Sequence, residues 1–238
     1  AALKSGRNHH VCNMGGIIET GTAFPGNTGQ IPNDVAPVAE MLRLNGYSTG
    51  AFGKWHETAA WEASIAGPLD RWPTRQGFDK FYGFLGGETN QWAPFIHDGV
   101  HPVDLPDDPS YHFLTDMTNQ TVAWIRYQKA LTPNKPFFVY FAPGATHAPH
   151  HVPRDWIAKQ KGKYDQGWDA MREEILARHP GVLAVTGQAD VAGDFASRRR
   201  RFRRRKLLKN VPSAIVGHNH AVGGLVEDGV GVDGEVAG

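Results

Sequence analysis

The chain has 238 residues, with 25 basic and 24 acidic side chains, a formal net charge of +1, and 40% hydrophobic against 21% charged residues. This is the profile of a globular protein, long enough for one good-sized domain or for a domain with an extension. Near-zero net charge excludes a whole-chain nucleic-acid or membrane-surface role. No stretch approaches the ~20 apolar residues of a membrane span. A single cysteine, Cys12, excludes an intramolecular disulfide and a thiolate-cluster metal site.

The composition breaks near residue 180. All seven Trp and all six Tyr lie before residue 181, whereas residues 181–238 hold 10 of the 28 Gly and 9 of the 25 basic side chains. Arg198 to Arg201, Arg203 to Arg205 and Lys206 form one cationic run, followed by a Gly/Val/Asp-rich end. Too few large apolar groups are present there to offset the entropy of ordering. Only Phe202 interrupts the run, so the aromatic interleaving that stacks bases is missing. The reading is a folded part over 1–180 and a tail over 181–238 that is disordered or out of frame.

In chain order, Asn33 or Asp34 is expected to cap a first helix, with Pro37 in its first turn and Val35, Val38, Met41 and Leu42 on one face. Gly46 stops it. Tyr47 to Phe52 reads as a buried strand ending at Gly53-Lys54-Trp55-His56. Residues 57–110, rich in Trp, Gly, Pro and Asp, read as loops. Thr115 or Asp116 is expected to cap a second helix, with Met117, Trp124 and Leu131 on one side. After the turn cluster Thr132 to Pro136, Phe137 to Ala142 is the strongest strand candidate, and it breaks into Ala145-Thr146-His147-Ala148-Pro149-His150-His151. Helix, strand and loop thus occur twice, each strand delivering His to its C-terminal end, where ligands bind in open α/β sheets. The fold class is α/β with a largely parallel sheet.

Lys54 and His56 follow directly on a strand and a glycine. An ammonium and an imidazole converging there suit an anionic ester, one as fixed charge and the other as a group that moves protons near neutral pH. Among His147, His150 and His151, Pro149 and the lack of helical spacing argue against a metal site and for one functional His with two loop neighbours. His9-His10 is a lone pair of weak meaning. The carboxylates Asp70, Asp79, Glu88, Asp98, Asp104, Asp107 and Asp108 show no pair spaced for acid–base work, and no phosphate-binding glycine loop or nucleophile elbow is present.

Gly46-Tyr47-Ser48-Thr49-Gly50-Ala51-Phe52-Gly53-Lys54-Trp55-His56 closely resembles the second signature of the sulfatase family, with Phe52 in place of a smaller residue. Gly77 to Phe84 resembles that family's GFDxFYGF segment, and Pro136 to Pro149 its strand followed by His-x-Pro. With GGETNQWAP at 86–94, residues 1–180 resemble a bacterial arylsulfatase. Ala1 to Gly6 resembles the stretch trailing the C/S-x-P-x-R motif, Lys4 standing where an apolar residue is usual.

The resemblance implies an alkaline-phosphatase-like fold, a partial sandwich around the sheet, and hydrolysis of a small-molecule sulfate ester. The nucleophile would be a formylglycine upstream of Ala1, and most calcium ligands would also lie outside the chain. Cys12, outside the motif, is not the nucleophile. Lys54 matches the Lys that contacts sulfate, His56 the His beside the formylglycine, and His147 the His beside the leaving oxygen; His150 is a candidate substrate contact. The expected activity of the chain alone is therefore nil. A phosphonate or phosphate ester hydrolase of the same superfamily, or a non-enzymatic truncated product, is the alternative. No signal peptide is visible, and the cytoplasm and periplasm of a bacterium are both open.

Overall fold

The computed structural model describes residues 1–178, which fall into two units, 1–151 and 152–178. Residues 181–238, expected to stay outside the core, lie outside the described residues. The first unit is built on a five-stranded sheet of order β4-β3-β2-β1-β5. Its strands are β1 (Ser48–Lys54), β2 (Lys80–Phe84), β3 (His97–Asp98), β4 (His101–Pro102) and β5 (Phe137–Ala142). The central strand β1 is parallel to both β2 and β5, while β3 and β4 close one edge as short antiparallel additions.

Period-two alternation splits the apolar side chains between two faces. Ala51, Phe81, Phe138 and Tyr140 face one side, where they meet Ala39, Trp55, Trp72 and Phe78. Phe52, Tyr82, Val139 and Phe141 face the other, against Ile96, Phe113 and Met117. Helix α2 (Val38–Leu44) brings Ala39 to the first face, and α3 (Phe113–Leu131) brings Phe113 and Met117 to the second. A mostly parallel sheet covered on both sides is an α/β sandwich, as the sequence implied.

Several element boundaries differ from expectation. Helix α2 begins at Val38 with Pro37 at its N-cap, so neither Asn33 nor Asp34 caps it. Proline disfavours helical backbone in the residue before it, which keeps Ala36 out of the helix. Val35 joins a separate core with Cys12, Met14, Ile18 and Ile31, and Met41 is exposed. Helix α3 begins two residues before Thr115, with His112 at its N-cap, and Leu131 is exposed. Asp116 lies inside its first turn and accepts hydrogen bonds from Tyr82 Oη at 2.6 Å and Tyr111 Oη at 3.0 Å, fastening the helix to β2. Burial, followed by the Asp116 hydrogen bond, raises both phenols well above the usual tyrosine range. The stretch 57–110, read as loops, contains β2, β3 and β4.

The three parallel strands touch through a row of small residues. Gly53 pairs with Gly83 on one side and Ala142 on the other. A Cβ on Gly53 would stand 2.0 Å from the Ala142 carbonyl oxygen, and one on Gly83 would stand 1.9 Å from that of Gly53. Gly53 also has φ +101°, which L side chains rarely adopt.

Lys4, in the short helix α1 (Ala2–Ser5), is buried. Its Nζ lies 2.8 Å from Glu57 Oε2 and 3.3 Å from the centroid of the Trp55 ring. The ammonium is aimed at the indole face, so its contact with Glu57 is an ion pair rather than a directed hydrogen bond. Burial lowers the lysine's pKa, and Glu57 opposes that shift. A charge at a position where an apolar residue is usual is thus matched by an acid and an aromatic face.

The second unit contains α4 (Arg154–Ala158) and α5 (Trp168–Arg178), neither with a buried residue. Lys159 sits 4.2 Å from the Trp156 ring centroid, and Arg178 pairs with Glu174 at 2.7 Å. Among the described residues no helix is long and apolar enough to cross a membrane.

Gly83→Ala is expected to lose more than about 3 kcal/mol of stability by urea denaturation, because backbone must move. Gly99→Ala, at φ +62° with open space around it, is expected to lose only about 1 kcal/mol. In a second series, Glu57→Gln takes the acid away from both Lys4 and the Ala1 ammonium and is expected to lose about 3–5 kcal/mol. Adding Lys4→Met to Glu57→Gln is expected to recover only the part due to Lys4.

Candidate active-site edge

Strands β1 and β5 are adjacent and parallel, so their C-terminal ends lie at the same edge of the sheet. Lys54 is the last residue of β1, and His147 follows five residues after the end of β5. Strand β2 ends at that edge too, and Gly87 and Glu88 follow it.

Lys54 is half-buried at this edge. Burial lowers its pKa, while the charges of Glu19 and Glu88 oppose the shift. Each carboxylate is also tied to one of the histidines. His56 Nε2 lies 2.9 Å from both Glu19 oxygens, and His147 Nδ1 lies 3.4 Å from Glu88 Oε2. The two acids that contact His56 and His147 thus also act, through their charge, on Lys54. Burial disfavours the charge on Glu19. The His56 hydrogen bond, the residue's own backbone and the positive charges of His56 and Lys54 outweigh it, holding Glu19 below the usual carboxylate range.

His56 is fixed by its backbone as well as by Glu19. Its φ is +55°, in the left-handed region, and its N–H donates to the Leu85 carbonyl at 3.0 Å. Gly87 closes over the imidazole: a Cβ there would stand 2.8 Å from the ring Cε1. A positive φ on a non-glycine residue is held only where surrounding contacts determine it.

The loop after β5 is held at its far end. His151 Nδ1 accepts a hydrogen bond from the Gln91 N–H at 3.3 Å, and His112 Nε2 lies 3.2 Å from the His151 carbonyl oxygen. Trp92 packs between the two rings, with centroid distances of 4.7 Å to His151 and 5.6 Å to His112. His150 is exposed, with φ +56°, and its N–H donates to the His147 carbonyl at 3.3 Å. His147 is exposed and its Nδ1 lies 3.0 Å from the Ala148 carbonyl, which leaves Nε2 for a ligand. His9 and His10 lie against each other in the N-terminal loop, centroids 4.3 Å apart.

Glu19 takes part in this arrangement without having been singled out in the sequence, and Glu88 without being paired there. They lie 37 and 59 residues from the histidines they meet, beyond the reach of local spacing. The clamp of Gln91, Trp92, His112 and His151 was also missed, although Trp92 stands in the GGETNQWAP segment. Among the described residues no three His, Cys, Asp or Glu side chains gather to hold a metal ion. Calcium takes six to eight oxygen ligands. The described residues do not form such a set, and no step below runs through the ion.

The family model described as Sulfatase matches residues 1–226. The chain is 28% identical over 190 residues to an arylsulfatase of Klebsiella aerogenes, covering 74% of this chain and 38% of that protein. It is 28% identical over 199 residues to an uncharacterized sulfatase of Schizosaccharomyces pombe, covering 73% and 33%. It is 31% identical over 166 residues to mouse arylsulfatase J, covering 67% and 25%. The chain therefore spans about a quarter to two-fifths of the length of these curated relatives. In fold it is similar to the crystal structure of Ps i-CgsB in complex with k-i-k-neocarrahexaose, with TM-score 0.52 and 24% identity over 66% of this chain and 36% of that one.

Removing one of the two acids that face Lys54 removes an attraction that favours its charged form. In Glu88→Gln, Lys54 is expected to titrate at lower pH than in the parent chain, as read by NMR of the side-chain nitrogen. An unchanged titration would mean that Glu88 does not act on the ammonium.

Proposed function

Because the chain belongs to the sulfatase family, we propose that residues Lys54, His56 and His147 form the anion-binding and proton-transfer edge of an arylsulfatase-type sulfuric ester hydrolase. The net reaction takes a sulfate monoester and water to an alcohol or phenol and hydrogen sulfate. Lys54 binds a sulfate oxygen and offsets the charge that grows there as the ester bond lengthens. His147, through Nε2, protonates the leaving oxygen. His56 is a positioned donor whose orientation Glu19 fixes, as a carboxylate behind an imidazole does in other hydrolytic sites. His150 contacts the substrate at the mouth of the site.

The observation that carries this reading is that the ends of the adjacent parallel strands β1 and β5 bring half-buried Lys54 and two carboxylate-paired histidines to one sheet edge. Half-burial of Lys54 makes its charge act through a medium less polar than water. Cys12 contributes nothing to catalysis: it is fully buried, with Sγ 3.2 Å from Ser5 Oγ. A formylglycine of the family's kind would make the attack on sulfur; the described residues hold no calcium site, and none of the roles assigned to them depends on that ion. This chain's own residues bind, orient and move the proton.

The 238-residue chain alone is expected to release no nitrophenol from nitrophenyl sulfate. Joined to the C-x-P-x-R segment and the C-terminal part of an arylsulfatase, it is expected to do so. In that joined enzyme Lys54→Met lowers kcat/KM by about 10²-fold or more. His147→Ala reduces turnover of alkyl sulfates more than that of nitrophenyl sulfate, because a good leaving group needs less protonation. Equal losses on both substrates would remove the acid role from His147. Turnover of phosphate or phosphonate esters with none of sulfate esters would overturn the substrate class.

A further inference from the structure

Beyond the three-residue edge, the described residues form an open hollow of about 410 Å³ lined by Gly21, Thr22, Ala23, Thr28, Gln30 and Trp61. We propose that this hollow is a subsite for an uncharged, hydroxyl-bearing ring, the saccharide portion of the ester, stacked on Trp61 and hydrogen-bonded by Thr22, Thr28 and Gln30. The assignment of that ring to the substrate rests on the function proposed above; the saccharide contacts themselves do not.

Position is the first argument. Glu19, which holds His56, is two residues before Gly21, so their Cα atoms are within about 7 Å. Trp61 follows His56 by five residues. Both walls of the hollow thus grow out of the segments that build the site.

Second, the backbone turn that carries the indole is anchored. Trp61 is 58% exposed. It lies in a single 3₁₀ turn, Ala60–Glu62, whose last residue is buried and charge-paired. Glu62 Oε1 accepts from Arg71 Nη1 at 2.8 Å and from Gln30 Nε2 at 2.7 Å, and the Glu62 carbonyl accepts from Trp72 Nε1 at 2.7 Å. An exposed indole next to a residue tied down this firmly loses little freedom when a ligand stacks on it.

The third argument is the polar complement. Gln30 donates its amide N–H to Glu62, which fixes the amide orientation and leaves its Oε1 as an acceptor. Thr22 Oγ1 accepts from the Phe24 N–H and Thr28 Oγ1 from the Gln30 N–H, each at 3.3 Å, so both hydroxyl protons are left to donate. Hydroxyls and one fixed carbonyl beside an aromatic face suit the alternating hydroxyl and C–H surfaces of a pyranose. Among the described residues no basic side chain lines the hollow, so the described lining does not make a second sulfate site. An unsubstituted aryl group would leave the three polar side chains without a use.

The test needs no turnover and no sulfate. Saturation-transfer NMR is run on the full 238-residue chain with maltotriose, cellotriose, galactotriose and chitotriose, and with phenol as the aryl probe. The expected result is transfer to at least one saccharide, weakened at least about fivefold in Trp61→Ala. Thr28→Val, which leaves the indole and its turn in place, is expected to weaken it as well, while Tyr127→Ala, at an exposed aromatic of α3, leaves it unchanged. Three results overturn the proposal: no transfer to any saccharide, transfer indifferent to both Trp61→Ala and Thr28→Val, or phenol bound at Trp61 with the saccharides excluded. Saccharide binding in a chain whose joined enzyme hydrolyses no sulfate ester would preserve the subsite and defeat the sulfatase reading.

Discussion

The approach of three backbones at Gly83, Gly53 and Ala142 sets the geometry on which the site depends. These residues stand side by side on β2, β1 and β5, one position before the end of β1. A single added methyl group at either glycine would have to occupy the place of a carbonyl oxygen. Close packing here brings the three strand ends together, and from those ends leave Lys54, the Gly87-Glu88 turn and the loop carrying His147. The glycines contribute no chemistry; they determine how near the chemical groups stand to one another.

Charge balance is the second constraint. A half-buried ammonium is unfavourable unless charges of opposite sign face it. Glu19 and Glu88 meet that need for Lys54, and each also engages a histidine. Lys4 shows the same solution away from the edge, with Glu57 as its acid and Trp55 as its aromatic face. Lys54 opens the segment Lys54 to Glu57, and Lys4 packs on its Trp55 and Glu57, which makes that short stretch a link between the core and the candidate site.

The sequence disclosed the parts whose signals are local. Phe137–Ala142 is a run of bulky apolar residues and forms β5 as expected. Strand β1 continues two residues beyond Phe52, because Gly53 and Lys54 go on pairing with Gly83 and Phe84 of β2. β2 itself was hidden: Lys80–Phe84 is short, interrupted by Gly83, and set in a segment rich in Trp, Gly and Pro. The start of α2 was misplaced because capping residues were weighed above the backbone restriction that Pro37 imposes. The Glu19–His56 and Glu88–His147 pairs, the Asp116 clamp on two tyrosines and the His151 latch all join residues distant along the chain. Periodicity and spacing carry no information about such pairs. The strand ends singled out Lys54, His56 and the cluster holding His147, and the family resemblance added their roles, but neither pointed to the acids paired with the two histidines.

The central claim is that Lys54, His56 and His147 act on one anion. The most direct test is to titrate inorganic sulfate into the full chain carrying ¹⁵N-labelled histidine and to follow the imidazole resonances. His56 and His147 are expected to shift along the same saturation curve, His9 and His10 not to follow it, and Lys54→Met to abolish both shifts. Independent curves for His56 and His147, or shifts that persist without Lys54, would contradict that claim.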